Sequence, residues 1–181
     1  MRIAIDLDDT LFDNTIPFDV IKDLNLDPAL RNQYTYHLKE LGTEGHAECQ
    51  KRFKMVEHMC AFKPTYGSKK KIKEWHSQKI YMACVTARDE KVKWGTVQMV
   101  QKHFPQITSI VLLGTFDKTE HFKENNYDIV IDDRPETLFD ALKVGVKKCF
   151  LIRNHNTPHN HGYDIKDSRI VPVKGLKDIK L

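Results

Sequence analysis

Asp6 and Asp8 stand two residues apart at the end of a short apolar run, Ile3-Ala4-Ile5, and Asp9 comes directly after. The run suits a buried strand. A carboxylate at the end of such a strand loses hydration, which is costly unless something compensates it. A divalent cation is the usual compensation, and carboxylate oxygens are its preferred ligands. The spacing therefore points to a magnesium site at a strand's C-terminal end, where ligands bind in open α/β sheets. As the chain turns, Asp6 and Asp8 can project toward one centre, one as nucleophile and the other as acid/base. A solvated acidic turn is the alternative.

Three further groups fall at strand ends or just after them. Thr86 closes Ala83-Cys84-Val85-Thr86. Its hydroxyl can donate to a phosphoryl oxygen, or it can cap the next helix, whose N-terminus also favours an anion. Lys118, in Asp117-Lys118-Thr119, stands near a helix start and can neutralise a transferring phosphoryl group. Lys123 is its competitor. Asp132-Asp133 ends the run Tyr127-Asp128-Ile129-Val130-Ile131. Adjacent like charges raise each other's cost of ionisation, and a cation would resolve the repulsion. Arg134, next in the chain, either faces a substrate or caps a helix through a salt bridge.

The elements that must position these groups alternate. Helices are expected over residues 68–78, 89–103, from about Lys118, and over 135–144. Strands are expected at 80–85, 107–113, 128–131 and 148–152, with a short edge segment at 171–173. Strands separated by helices imply a parallel sheet with right-handed crossovers. Between Asp13 and Pro64 the pattern is helical instead. Ile16, Val20, Ile21 and Leu24 share one face. Asp27-Pro28 reads as an N-cap with Pro at the first helical position. Leu30, Tyr34, Leu38 and Leu41 continue a second helix that Gly42 stops. A third is expected over 44–60. The organisation is thus an α/β core, residues 1–13 and 64–181, with a helical insertion at 14–63 placed to cover the acidic strand end.

Bulk properties agree with a single domain carrying an insertion: 181 residues, 40% hydrophobic and 30% charged. No stretch approaches the ~20 apolar residues of a membrane span. Acids interrupt the N-terminal apolar run at once, which argues against a signal peptide and for a cytoplasmic location. Cys49, Cys60, Cys84 and Cys149 have no metal spacing and read as reduced thiols. The net charge of +4 fits an anionic substrate without requiring one. Lys69-Lys70-Lys71 and Lys73 read as the solvated face of a helix rather than a nucleic-acid patch. His155, His159 and His161 match no standard zinc spacing and Pro158 breaks helical geometry, so 154–161 reads as a structured loop near the site's rim.

Taken together, the Asp-x-Asp-x-Thr of residues 6–10, Thr86, Lys118 and Asp132-Asp133 resemble, in order, the four motifs of the haloacid dehalogenase (HAD) superfamily. The resemblance spans about residues 1–13 and 64–152. It implies a Rossmann-like parallel sheet with a cap inserted after the first motif. Asp117-Lys118-Thr119, Ile131-Asp132-Asp133-Arg134-Pro135, the helix bearing Trp94 and Asn154-His155-Asn156 are similar to the 5'(3')-deoxyribonucleotidase branch. Ala87 departs from that branch, which often has serine there. The resemblance implies that Asp6 attacks phosphorus and that Asp8 protonates the leaving alkoxide and then activates water. It implies Mg2+ held by the Asp6 carboxylate, the Asp8 backbone carbonyl and Asp132 or Asp133, with Asp133 favoured. Thr86 and Lys118 would clamp the phosphoryl group. The implied substrate is a small phosphomonoester, a nucleotide in the first instance; a sugar phosphate or a nucleic-acid 3' end is the alternative within the same chemistry, and a non-catalytic binding module on the same fold is the alternative outside it. Phe18, Tyr34, Tyr36, Phe53 and Phe62 offer aromatic surface in the insertion for a nucleobase.

Overall fold

Successive side chains of a strand point to opposite faces, so strands that are apolar throughout need a covering layer on both sides. The computed structural model, which describes residues 1–32 and 38–181, has that arrangement. In chain order its elements are β1 (Arg2–Ile5), β2 (Phe12–Asp13), α1 (Ile16–Asp23), α2 (Gly42–Arg52), α3 (Val56–Met59), β3 (Lys63–Pro64) and α4 (Ser68–Ser77). Next come β4 (Tyr81–Thr86), α5 (Lys93–His103), β5 (Ser109–Leu112), α6 (Thr119–Asn125), β6 (Ile129–Asp132), α7 (Pro135–Lys143), β7 (Lys148–Ile152) and β8 (Ile170–Val173).

Six strands form one parallel sheet in the order β5-β4-β1-β6-β7-β8. Ile3 and Ile5 of β1 and Cys84 of β4 face Ile72 and Trp75 of α4 and Met99 and Val100 of α5. The alternate residues Ala4, Ala83, Val85 and Val130 face Phe122 of α6 and Leu138, Ala141 and Leu142 of α7. The expected Rossmann-like α/β architecture is therefore present, and strand boundaries agree to within two residues. β1 lies between β4 and β6, so the chain winds outward from it in both directions. That is the switch point of a doubly wound sheet, and in such sheets the ligand crevice lies outside the C-terminal ends of the strands.

The segment between β2 and β3 departs from the expected three long helices. β2 and β3 pair antiparallel and bracket it, with Phe12 opposite Pro64. α1 forms as expected, with Ile16, Val20 and Ile21 buried. Asp27 Oδ1 accepts from Ala29 N at 2.9 Å, but the element it caps is a 3-10 turn at Pro28–Asn32. Tyr34 and Tyr36 lie outside the described residues. Gly42 ends a 3-10 turn, Lys39–Leu41, and opens α2 at once; its φ of +71° makes it a joint rather than a stop.

The expected helix over 44–60 is broken. Met55 is extended, and α3 starts afresh beyond it. The break lays α3 against α5 at Gly95, where a Cβ would come within 2.6 Å of both Cys60 Sγ and Val56 Cγ1. A straight helix would carry residues 56–60 away from that contact.

All four cysteines are thiols, and Cys49, Cys84 and Cys149 are buried. Lys69, Lys70 and Lys73 are exposed along α4, while Lys71 pairs with Glu74. Among the described residues no helix is long and apolar enough to cross a membrane.

Candidate active site

β1 delivers the first carboxylate. Asp6 N donates to Ile131 O at 2.8 Å, which extends the β1–β6 ladder by one residue past the end of β1. β6 ends on Asp132, so the carboxylates of Asp6, Asp132 and Asp133 meet in the crevice. Each offers one oxygen, and the three oxygens lie within 4.8 Å of one another. Lys118, the residue before α6, reaches in from the β5 side. Its Nζ lies 2.5 Å from Asp6 Oδ1, 2.8 Å from Asp132 Oδ2 and 2.9 Å from Val85 O. The sequence-predicted lysine is thus the one in the site, and Lys123 instead pairs with Glu120 on the surface of α6.

Burial sets the electrostatics. Desolvation raises the Asp6 carboxyl well above the ordinary range; Lys118 opposes this, and Asp132 and Asp133 add to it. Burial likewise raises Asp132 against the pull of Lys118. Burial works to lower the Lys118 ammonium, but Asp132 and Asp6 overcome it, so the lysine is held charged. One ammonium for three buried carboxylates leaves excess negative charge. A hard, oxygen-seeking dication fits that donor set in charge and in ligand type. Among the described residues this is the one cluster of three or more His, Cys, Asp or Glu side chains placed to hold an ion. The histidines of 154–161 form no such cluster.

Asp8 stands apart from the three. Arg88 grips its carboxylate with both arms, Nε to Oδ2 at 2.9 Å and Nη2 to Oδ1 at 2.7 Å. Arg88 is itself buried, donates Nη1 to Thr96 Oγ1 at 3.1 Å, and lies 5.4 Å over the Phe62 ring. Asp8's side chain keeps 26% of its exposure, so the carboxylate borders the crevice while its direction is fixed. Sequence reasoning passed over Arg88. A cation two residues beyond a strand-end threonine was a usable signal, but its bidentate grip depends on α5 and Phe62 being in place.

Asp9 has a local task. It adopts a left-handed backbone (φ 58°), and its Oδ1 accepts from Asn14 N at 3.1 Å, turning the chain toward α1. Thr86 ends β4 with its side chain buried, and its hydroxyl accepts from Arg88 N at 3.3 Å. It does not cap the next helical turn; Asp89 does, accepting from Lys91 N.

Arg134 begins the turn into α7. Its N donates to Asp132 Oδ1 at 2.9 Å, and its guanidinium lies 4.2 Å from the centre of the Phe116 ring. Phe116 is 61% exposed. Lys118 is two residues beyond Phe116 and Asp132 two residues before Arg134, so ring and guanidinium are borne on the two segments that carry the cluster. Of the aromatic residues expected to face a base, Phe62 is core, and Phe18 and Phe53 pack against the core.

No protein-family model matches the sequence, and no curated protein matches it. Solved structures do. A HAD-superfamily hydrolase from Ehrlichia chaffeensis gives a TM-score of 0.58 at 16% identity, over 98% of this chain and 92% of that one. CbbY from Rhodobacter sphaeroides, in complex with phosphate, gives 0.61 at 12% identity, over 98% and 95%. A dehalogenase gives 0.60 at 11%, over 97% and 93%. The chain therefore has the fold of HAD-superfamily hydrolases along nearly its whole length.

Proposed function

We propose that this chain hydrolyses phosphomonoesters with a bound magnesium ion, and that its substrates are (deoxy)nucleoside monophosphates. The observation that carries the reading is Lys118 joined to both Asp6 and Asp132 beside Asp133, in the crevice at the ends of β1, β4 and β6. An attacking carboxylate and a phosphate are both anions, so the reaction needs positive charge fixed between them.

In this reading Asp6 Oδ attacks phosphorus, and the bond to the leaving oxygen breaks as an aspartyl-phosphate forms. Asp8 gives its proton to the leaving alkoxide. It then takes one from the water that cleaves the acyl phosphate, which restores Asp6 and releases inorganic phosphate. Lys118 offsets the charge of the phosphoryl oxygens, and the Thr86 hydroxyl donates to one of them. Magnesium, held by Asp6, Asp132 or Asp133 and the Asp8 carbonyl, would supply Lewis-acid charge to the same oxygens. Both Asp8 oxygens accept from Arg88, so Arg88 releases one of them when Asp8 takes up its proton and keeps the carboxyl aimed through the other. Residues 14–63 would act as the cap that closes over substrate.

The nucleotide assignment rests on Phe116 and Arg134. An exposed aromatic ring backed by a guanidinium at the mouth of the site is a platform for a planar base, worth about 1–3 kcal/mol per stacked base. The acid/base role given to Asp8 also favours a phosphate ester over a haloacid, because a halide leaving group needs no proton.

The test is release of phosphate from a panel of nucleotides and sugar phosphates, with magnesium and with chelator. Turnover is expected only with magnesium and to be highest on nucleoside monophosphates. Asp6→Asn is expected to fold normally and to abolish turnover. Wild-type turnover in that variant would overturn the nucleophile assignment.

A further inference from the structure

The His- and Asn-rich loop after β7 has no part in the reaction as written, yet it grips the acidic cluster at close range. His159 Nε2 lies 2.8 Å from Asp133 Oδ2, and the two side chains are 2% and 5% exposed. The next residue holds the other end of the same aspartate. Asn160 Nδ2 donates to Asp133 O at 2.6 Å and to Ile152 O at 2.8 Å, tying the aspartate's backbone to the end of β7.

The loop is braced so that it can do this. Asn154 N donates to Thr157 Oγ1 at 2.8 Å, and that hydroxyl donates back to Asn154 O at 3.0 Å. Asn156 Nδ2 donates to Asp13 Oδ1 at 2.8 Å, fixing the loop to β2.

We infer that His159 is a positioning residue for the cation site: it donates Nε2–H to Asp133 Oδ2 and thereby sets the angle at which Asp133 presents its carboxylate to the ion. The inference rests on the proposed magnesium site. Its physical ground is direct. An ionised carboxylate only accepts, so the close nitrogen is the one that carries hydrogen. A carboxylate rotates about its Cβ–Cγ bond unless something holds it. Asp133 is held at Oδ2 by His159 and at its backbone by Asn160, so it meets a cation already oriented. Groups that orient a metal-binding carboxylate commonly govern affinity by about 10- to 100-fold.

The experiment titrates the full chain with Mn2+ alone, without substrate, and reads the loss of the free-ion electron paramagnetic resonance signal. His159→Phe keeps the ring's bulk and removes the donor; His159→Gln keeps a donor amide. We expect His159→Phe to bind Mn2+ about 10- to 100-fold more weakly than wild type, and His159→Gln to stay within roughly threefold.

Equal affinity in wild type and a folded His159→Phe overturns the inference, as does a His159→Gln variant no better than His159→Phe. If the wild-type chain binds no Mn2+ at millimolar concentration, the cation site itself is overturned, which is a separate result. Should His159→Phe not fold, nitrogen-15 resonances of wild-type His159 decide. A protonated Nε2 that Mn2+ broadens more than the exposed ring of His76 supports the inference, and an unprotonated Nε2 overturns it.

Discussion

Replacing Lys118 with methionine removes one positive charge and little volume. It leaves Asp6 and Asp132 facing each other where their side chains are only 10% and 2% exposed. Removing one partner of a buried ion pair typically costs ~3–5 kcal/mol. For a chain of this size that corresponds to a fall in Tm of ~6–20 °C in metal-free protein. The loss must depend on pH. Burial already holds both carboxyls above their ordinary value of 3.8, and Lys118 is the group that pulls them down. Without it they rise further. A carboxyl whose folded pKa exceeds its unfolded one binds more protons in the folded chain, so stability falls as pH rises from 3.8 through the raised values. Lys118 itself is held above 10.5, so its own contribution is fully present throughout that window. The deficit of Lys118→Met is therefore expected to be largest near pH ~8.5 and to shrink toward pH ~5.5, and magnesium should recover part of it. Thermal melts monitored by circular dichroism in chelator, at both pH values and then with magnesium, measure this. A variant melting within about 2 °C of wild type at both pH values would refute the claim that Lys118 compensates these two carboxylates.

The other expectations concern neighbouring groups. Arg88→Met should cost about 10²- to 10⁴-fold on an alkyl monophosphate and far less on p-nitrophenyl phosphate, whose leaving group hardly needs a proton; equal losses on both would mean that Arg88 does not aim the acid Asp8. Phe116→Ala should lower kcat/KM for a nucleoside monophosphate relative to a sugar phosphate by about 5- to 150-fold, and a uniform loss would defeat base stacking at that ring. Burial pushes the Cys49 and Cys149 thiols up to about 12 and raises Cys84 and Cys60 as well. A thiol-exchange reagent at mild alkaline pH should therefore find at most Cys60 in the native chain and all four thiols after denaturation; rapid native labelling of two or more would contradict the packing.

The sequence made legible whatever a strand end dictates. Asp6 and Asp132 come after apolar strands whose period assigns both faces to core, so their carboxylates can only leave at the crevice. The helix expected over 135–144 does begin at Pro135, where a ring-fixed φ and a missing N–H suit a first helical turn. Residues 44–60 misled because their apolar spacing is helical on both sides of Met55. The break is imposed from outside, by the room that Gly95 leaves on α5. Arg88 and His159 were hidden for a related reason. Each acts on an aspartate 80 or 26 positions away. A cation or imidazole in a loop has no periodic signature, and only the assembled sheet brings it to its carboxylate. Phe116 had no signature in the sequence either: the exposed ring stands on the core, two residues before Lys118, whereas the aromatic residues with helical spacing lie in the insertion.

The two acids of the first motif receive opposite treatment, and that division argues for the kind of chemistry. Asp6 is buried and shares one ammonium with Asp132, in keeping with the attacking role proposed for it. Asp8 is fixed by a bidentate guanidinium on both oxygens, so the acid/base role proposed for it requires one of those two contacts to open before it can carry a proton. A displacement that expels halide would use the first aspartate and leave the second idle. Here a buried arginine, a threonine hydroxyl and an aromatic ring are all committed to holding Asp8 still. The likeness to dehalogenases is a likeness of fold, and the proposed choice of an ester over a halide stands on the acid/base role given to Asp8.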